Sequence, residues 1–550
     1  MGTSGYAYAT TSELPSENPT MKTILLALTS GLFFPLALPN EVFHFGSPLL
    51  GLVSLSPLYL AFVFARDRRT AVYAGMVFGA VSTALGNFWL ANFGEFSVWT
   101  LGGPILGYIG YNGLLAVALY AVSRFDANFR PALFAVVWTA YEFLKSVGYL
   151  GYPWGLAAYP FAELPAFTQI ADVTGVYGLT FMAVYLQALS GELSLVLSGS
   201  PVARGTTAGP YPRSMDPSRM IAHGVFALLL LAGIVSYGVY RLADDSEADA
   251  RLRVLLVQQN TDSWAFGNEE ETLGTLIRLS ENALSRHDAD LLVWSETSLR
   301  VPYASYADSW YERVPGRRSF RDFLRASPVP LLTGSPYQHG GVGGAAWNAA
   351  LLIQPDGEIS GVYGKRQLVP FAESVPFWEW EAMRRFYLDI VGIQAVWEPG
   401  DQITIFELSG ADGPVFAAAP ICFEDAFAGV VRDFHRAGAE VLVNLTNNAW
   451  SETDSAQTQH FTAARFRSIE TRLPMVRSTN AGLTSVIDRH GRLQQSLPMF
   501  EEGVLFAEIE IFRNQRLTVY STIGDSFAVL MLLLTAAALI QAFRRPETVS

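Results

Sequence analysis

The stretch AAAPICFEDAFAG, residues 417–429, decides how the second half of this 550-residue chain is read. With PVF ahead of it, it begins as an apolar run of strand length. It ends in Cys422, Glu424 and Asp425, where a strand ordinarily hands over to turn residues. Polar side chains at a strand's C-terminal end are how open α/β sheets gather a site. Cys422 is also the only cysteine in the chain. A lone cysteine forms no internal disulfide and no thiolate cluster, so its sulfur is either a small buried hydrophobe or a nucleophile.

Neighbouring segments repeat the pattern. RLRVLLVQQN (251–260), ADLLVWSET (289–297), VPLLTGSP (329–336), AALLIQPDGEISGVYGK (349–365) and AEVLVNLTNN (439–448) are apolar, β-branched runs. PDGE at 355–358 and DRHGR at 488–492 read as hairpin turns. EEETLGTLIRLSENALSRH (269–287) and DAFAGVVRDFHRAG (425–438) place apolar residues at helical spacing between the strands. Residues 244–518 therefore read as one α/β domain.

The rest of the chain reads differently. Half of all residues are hydrophobic and 16% are charged; mean hydropathy is +0.25, the composition of a membrane protein. Apolar runs predict spans at 22–38, 47–64, 70–92, 100–122, 131–148, 168–190 and 221–240, with a last one at 521–543. The organisation is a disordered tail over 1–20, a membrane domain of about seven helices over 21–243, the polar domain over 244–518, and a C-terminal span within 519–545. Arg66, Arg68, Arg69, Arg124, Arg130, Arg204, Arg213, Arg219, Arg544 and Arg545 fall in alternate loops and after the last span, while the intervening loops (39–46, 93–98 and 148–167) hold no Lys or Arg. The positive-inside rule makes the basic loops cytoplasmic and puts 244–518 on the outer side, the periplasm of a Gram-negative cell. Glu142 and Lys145 sit at the outer end of the fifth span, where charge is costly; they are either an i,i+3 pair or a mark of a lipid head-group site. The net charge of −13 argues against a nucleic-acid partner, and the seven histidines show no metal-ligand spacing.

A cysteine nucleophile needs a proton acceptor, because a free thiol near pKa 8.5 is only a few per cent ionised at about neutral pH. Glu296 at the end of LLVWSET is a candidate base. Lys365, in YGKRQLVPFAE, is a candidate for stabilising thiolate and oxyanion. His339 and His460 are the alternatives as base, as in a Cys–His pair.

VWSETS, YGKRQLVPFAE and ICFED resemble the three signature segments of the nitrilase superfamily, in the order Glu296, Lys365, Cys422. The chain over about residues 21–545 resembles the apolipoprotein N-acyltransferase family, the membrane branch of that superfamily. The likeness extends to GYPWG (151–155), WNAALLI (347–353), NLTNNAW (444–450) and QTQHFTAARFRSIETRLPMVRSTNAG (457–482). It implies an α-β-β-α sandwich for the outer domain and a monomer without cofactor in the bacterial inner membrane. It implies a ping-pong reaction, in which Cys422 takes a fatty acyl chain from a phospholipid as a thioester and passes it to the α-amino group of a lipoprotein's diacylglyceryl-cysteine. The Glu296–Lys365–Cys422 triad would act with Glu373 orienting Lys365, the backbone N–H of Phe423 in the oxyanion hole, and Glu424 in support. Trp264 falls where the family places an aromatic near the acyl chain; Trp450, Asn348 and Asn447 are further substrate-contact candidates, the two asparagines also reading as structural hydrogen bonders in strand-end turns. Ser295, Ala372 and Asn448 stand where the family commonly has Pro, Gly and Asp; this bears on loop shape more than on the reaction. Two rivals remain: a membrane-tethered amidase using the same triad, and a transporter with a degenerate outer module. The aromatic segment PFWEWEAMRRFYLDIVG (376–392) has the composition of a lid that dips into head groups.

Overall fold

The computed structural model describes residues 19–93, 97–198, 215–261, 267–313, 319–339, 346–392, 397–513 and 516–544; the tail expected to be disordered lies almost wholly outside them. Long runs of Leu, Phe, Val and Ala form the helices α1 (Pro19–Ala37), α2 (Ser56–Phe64), α3 (Arg68–Gly86), α4 (Ser97–Ser123), α5 (Arg130–Ser146), α6 (Val176–Leu197) and α7 (Pro217–Leu242). Among the described residues, five helices are long and apolar enough to cross a membrane: Thr20–Ala37, Val98–Ser123, Val176–Leu197, Pro217–Leu242 and Ser526–Arg544. The other two long helices are carried by packing. α3 lies against α1 and α4, and α5 against α6 and the C-terminal helix. Gly75 and Gly79 let α3 close on α4, since a Cβ there would stand 2.4 Å from Asn112 O and 2.5 Å from Tyr108 O; small residues at such crossings are how helices associate in lipid.

Two expected spans differ. The stretch 47–64 splits into the turn Pro48–Gly51 and α2. The sixth helix starts at Val176, not near 168, because Gly175 takes φ 64° and breaks the chain after two short turns. The Val176 N–H then finds its acceptor outside the helix, in Glu470 Oε1 at 2.9 Å.

Among the described residues twelve strands follow: β1 (Ala250–Gln258), β2 (Leu291–Trp294), β3 (Leu331–Gln338), β4 (Ala346–Ile353), β5 (Ile359–Gly364), β6 (Phe406–Gly410), β7 (Gly413–Ala418), β8 (Val441–Thr446), β9 (Met475–Thr479), β10 (Ser485–Ile487), β11 (Leu493–Ser496) and β12 (Gly503–Ile511). They form two six-stranded sheets, ordered β12-β1-β2-β3-β4-β5 and β11-β10-β9-β8-β7-β6. β1–β3 run parallel, as do β7–β9; PDGE and DRHGR close the β4–β5 and β10–β11 hairpins. Strand alternation divides the core. Leu252, Val254 and Leu256 face Val415, Val443 and Met475 of the other sheet, whereas Leu255 and Val257 face α8 (Glu269–Leu284) and α9 (Phe320–Ala326). α10 (Ala428–Arg436) and α11 (Asp454–Thr471) cover the second sheet, completing an α-β-β-α sandwich. α11 is buried from Ser455 to Thr471 although it carries Gln457, His460, Arg465, Arg467 and Glu470. Its far side packs on the apolar bundle, with Ala463, Phe466 and Ile469 beside Tyr159 and Phe167. α12 (Ser526–Arg544) returns to that bundle.

Candidate active site

The parallel strands of both sheets end on the same cluster. β2 ends at Trp294, and Thr297, just past Glu296, takes φ 53°; β7 ends at Ala418, and Cys422 takes φ 52° at the start of the 3-10 turn Cys422–Ala426. Left-handed backbone at non-glycine residues costs of order 1–3 kcal/mol and persists only where the surroundings over-determine it. Here they do. Asn444 Nδ2 donates to Cys422 O at 2.9 Å and to Pro420 O at 3.2 Å. Beside the other turn, β3 must carry Gly334, because a Cβ would stand 2.3 Å from Thr297 N and 2.7 Å from Glu296 Cα.

Glu296, Lys365, Glu373 and Asn348 form one buried network. Lys365 Nζ lies 3.2 Å from Glu296 Oε1 and 2.8 Å from Glu373 Oε1. Asn348 Nδ2 donates to the same two oxygens, at 2.8 and 2.9 Å. The other oxygen of Glu296 accepts the Asn447 N–H at 2.9 Å, and that of Glu373 the Val369 N–H at 2.7 Å. Every carboxylate oxygen thus has a donor, the condition for burying such charges. Burial disfavours the Lys365 ammonium, but the charges of Glu296 and Glu373 outweigh it and raise its pKa above the ordinary lysine value.

Cys422 sits partly exposed against this network. Burial first, then the Glu296 charge, pushes its thiol pKa well up, with Lys365 pulling the other way. The sulfur rests as a thiol, so an attack through it requires a base at that moment, not a stored thiolate. Phe423 places its ring 5.6 Å from Lys365 Nζ.

Glu424 joins the two halves. Its carboxylate accepts the N–H groups of Arg366, Gln367 and Ile421 at 2.7, 2.9 and 2.8 Å, and the Tyr363 hydroxyl at 3.0 Å. It clamps the segment after β5, which carries Lys365, to the Cys422 turn. Burial raises its pKa against these bonds.

The alternative bases face elsewhere. His460 Nε2 lies 2.7 Å from Asp425 Oδ1, whose partner oxygen takes Arg477 Nε at 3.0 Å. Burial opposes the charge on Asp425, yet His460 and Arg477 hold its pKa below the usual range. His339 stacks on Trp347 and lies 3.5 Å from Glu398. Trp450 packs on Trp89 and Phe93 of the bundle, ring centres 5.7 and 5.1 Å away. Trp264 lies outside the described residues. Sequence reasoning reaches Asn444 only as one of the polar strand ends and assigns no role to Arg477 or to Asn480, whose amide bonds Asn447; the run RSTN, 477–480, was the available signal. Among the described residues, no group of three His, Cys, Asp or Glu side chains is arranged to hold a metal ion.

Comparison with known proteins gives matches over nearly the whole chain. The apolipoprotein N-acyltransferase N-terminal domain family matches residues 30–189, and the carbon-nitrogen hydrolase family matches 253–516. Apolipoprotein N-acyltransferase 2 of Treponema denticola is 35% identical over 522 residues, covering 94% of this chain and 97% of that one. Apolipoprotein N-acyltransferases of Borreliella burgdorferi and Geobacter metallireducens are each 31% identical, covering 93% and 95% of this chain and 94% and 95% of their own. Among solved structures, Nit3 of Saccharomyces cerevisiae, a nitrilase superfamily member, aligns with 48% of this chain and 90% of its own at 17% identity and a TM-score of 0.34.

Proposed function

The chain belongs to the apolipoprotein N-acyltransferase family, a membrane enzyme family whose acceptor is a lipoprotein, and we propose that it works by a ping-pong route through a thioester on Cys422. The observation that carries this is the buried Glu296–Lys365–Glu373 network beside a partly exposed thiol, on a domain seated against apolar helices.

In the first half-reaction the Cys422 sulfur attacks the ester carbonyl carbon of a phospholipid, and Glu296 takes the thiol proton. Lys365 and the Phe423 N–H stabilise the oxyanion. The carbon–oxygen bond breaks, the lysophospholipid leaves with the proton from Glu296, and the acyl thioester remains. In the second half-reaction the α-amino group of the acceptor's diacylglyceryl-cysteine attacks the thioester. Glu296 accepts its proton, the sulfur leaves and is reprotonated, and the amide is released. Asn348 and Glu373 orient the Glu296–Lys365 pair, and Glu424 holds the two loops in register. Trp264 and Trp450 are assigned to acyl-chain contact, and Asn447 to the base through its N–H.

The arginine-bearing loops support an inner-membrane protein with 244–518 in the periplasm, 21–243 and 519–545 in the bilayer, and residues 1–20 as a tail. We assign a monomer.

Intact-protein mass spectrometry after incubation with phospholipid tests the route, with Cys422→Ala alongside. The expected result is a gain of one fatty acyl group, absent from the variant and discharged by a diacylated lipopeptide. Discharge by water alone would favour the amidase reading; no adduct at all would remove Cys422 from the chemistry.

A further inference from the structure

We propose that the end of the helix bundle next to the catalytic domain holds a second lipid site, in which Lys145, Trp154 and Asn112 bind the phosphate-bearing head group of a phospholipid. This rests on reading the bundle as membrane-embedded and not on the thioester.

The site is a cavity between α1, α3, α4 and α5, closed on one side by Gln459 of α11. It encloses about 50 Å³ and opens outward, and Tyr108, Tyr141 and Tyr152 line it with the three residues named above. None of Glu296, Lys365 or Cys422 belongs to it.

Asn87, Tyr152 and Gln459 on its wall are bonded within the protein, but Lys145, Trp154 and Asn112 keep capacity to spare. Lys145 is 8% exposed, and its ammonium donates to Trp154 O at 2.7 Å and Gly155 O at 3.4 Å. An ammonium has three donors. Among the described residues it forms no ion pair within 4.0 Å. Glu142, one turn earlier, is occupied elsewhere, by the Trp138 indole at 2.8 Å, the Ala157 N–H at 2.9 Å and the Thr180 hydroxyl at 2.8 Å. Trp154 is 7% exposed and Asn112 3%; Trp154 Nε1 and Asn112 Oδ1 are buried without a hydrogen-bond partner. A buried charge inside a membrane bundle marks a binding or transport function more often than a packing role, and buried polar atoms are otherwise nearly always bonded.

The donor set names the ligand. An ammonium and an unbonded indole N–H on the walls of one cavity are donors suited to an anion, and Asn112 Oδ1 adds an acceptor suited to a head group that carries its own N–H. In a membrane-embedded bundle the anion the surroundings supply is lipid phosphate. The site meets the catalytic domain through Trp154, whose ring lies 5.3 Å from that of His460, itself bonded to Asp425 in the Cys422 turn.

The test is lipid titration of the purified full chain in detergent, followed by native mass spectrometry, in a Cys422→Ala background that prevents turnover. The probes are a palmitoyl-oleoyl phosphatidylethanolamine, the diacylglycerol with the same chains, and inorganic phosphate as competitor. Lys145→Met is expected to weaken one bound phospholipid about tenfold or more, the size of a lost charge-assisted hydrogen bond, while leaving diacylglycerol binding unchanged. Trp154→Phe, which removes the indole N–H alone, is expected to do the same more mildly and keeps the test valid if Lys145→Met does not fold. Equal phospholipid binding in both variants overturns the site, as does an equal loss for diacylglycerol, which would mean a packing role or a water-filled cavity. Displacement of that one lipid by millimolar phosphate overturns the head-group assignment in favour of the free ion. If the titration behaves as stated while no acyl-enzyme forms in the native chain, the thioester route falls and this site stands.

Discussion

Lys365 and Lys145 are both buried lysines, and the protein treats them in opposite ways. In the catalytic domain, Lys365 lies between two carboxylates that are themselves held by Asn348, Asn447 and Val369. In the bundle, Lys145 has two carbonyls, a cavity and no carboxylate in contact. The first arrangement is closed: its charges compensate one another and cannot move without cost. The second sets an ammonium with neutral bonded partners beside a cavity. A buried ammonium surrounded by carboxylates tunes a neighbour, whereas one surrounded by neutral groups waits for an anion.

The largest expected effect breaks the closed arrangement. Lys365→Met leaves Glu296 and Glu373 facing each other unpaired. It should cost roughly 3–5 kcal/mol of domain stability and lower acyl transfer by about 10²–10³-fold, as loss of an oxyanion donor does. Thermal unfolding and thioester formation measure the two. Lys145→Met should cost markedly less stability; if it costs as much, the contrast between the two lysines is wrong.

Glu296→Gln separates charge from geometry. Transfer should fall by about 10²–10⁴-fold if Glu296 is the base. Yet Cys422 should alkylate faster with iodoacetamide at pH 8, because after burial the Glu296 charge is what raises the thiol pKa. Lys365→Met should slow the same alkylation. Identical alkylation rates in the two variants would detach Cys422 from the network.

A smaller effect is expected with pH. Burial lowers the His460 pKa despite Asp425, so the fold favours neutral imidazole. That contribution is complete above the unfolded histidine pKa, about 6.5, and is lost as pH falls below it. His460→Gln should therefore show a shallower fall in stability between pH 7 and pH 5. The smallest effect belongs to Glu142→Gln. Its three donors are neutral, so the amide should cost only about 1 kcal/mol and leave lipid binding at Lys145 in place.

How much of this could be read along the chain depends on the range of the interaction. Hydropathy and strand alternation are local, so the division into apolar helices and an α/β domain, the β4–β5 and β10–β11 hairpins, and the polar strand ends at Glu296 and Cys422 stand in the sequence itself. The start of α6 was misplaced because hydropathy runs straight through Gly175, and the break there depends on its positive φ and on Glu470, 294 residues away. Trp450, adjacent in sequence to the site loop, meets Trp89 and Phe93 of the bundle, contacts across more than 350 residues that no local pattern announces. Tertiary structure alone decided which donors Glu424 clamps, that His460 bonds Asp425, and that Lys145 bonds the Trp154 and Gly155 carbonyls and not the carboxylate one turn before it. In each case several partners of the right type lie within the sequence, and only three-dimensional packing selects among them, because burying a polar atom makes its one available contact worth more than any local preference.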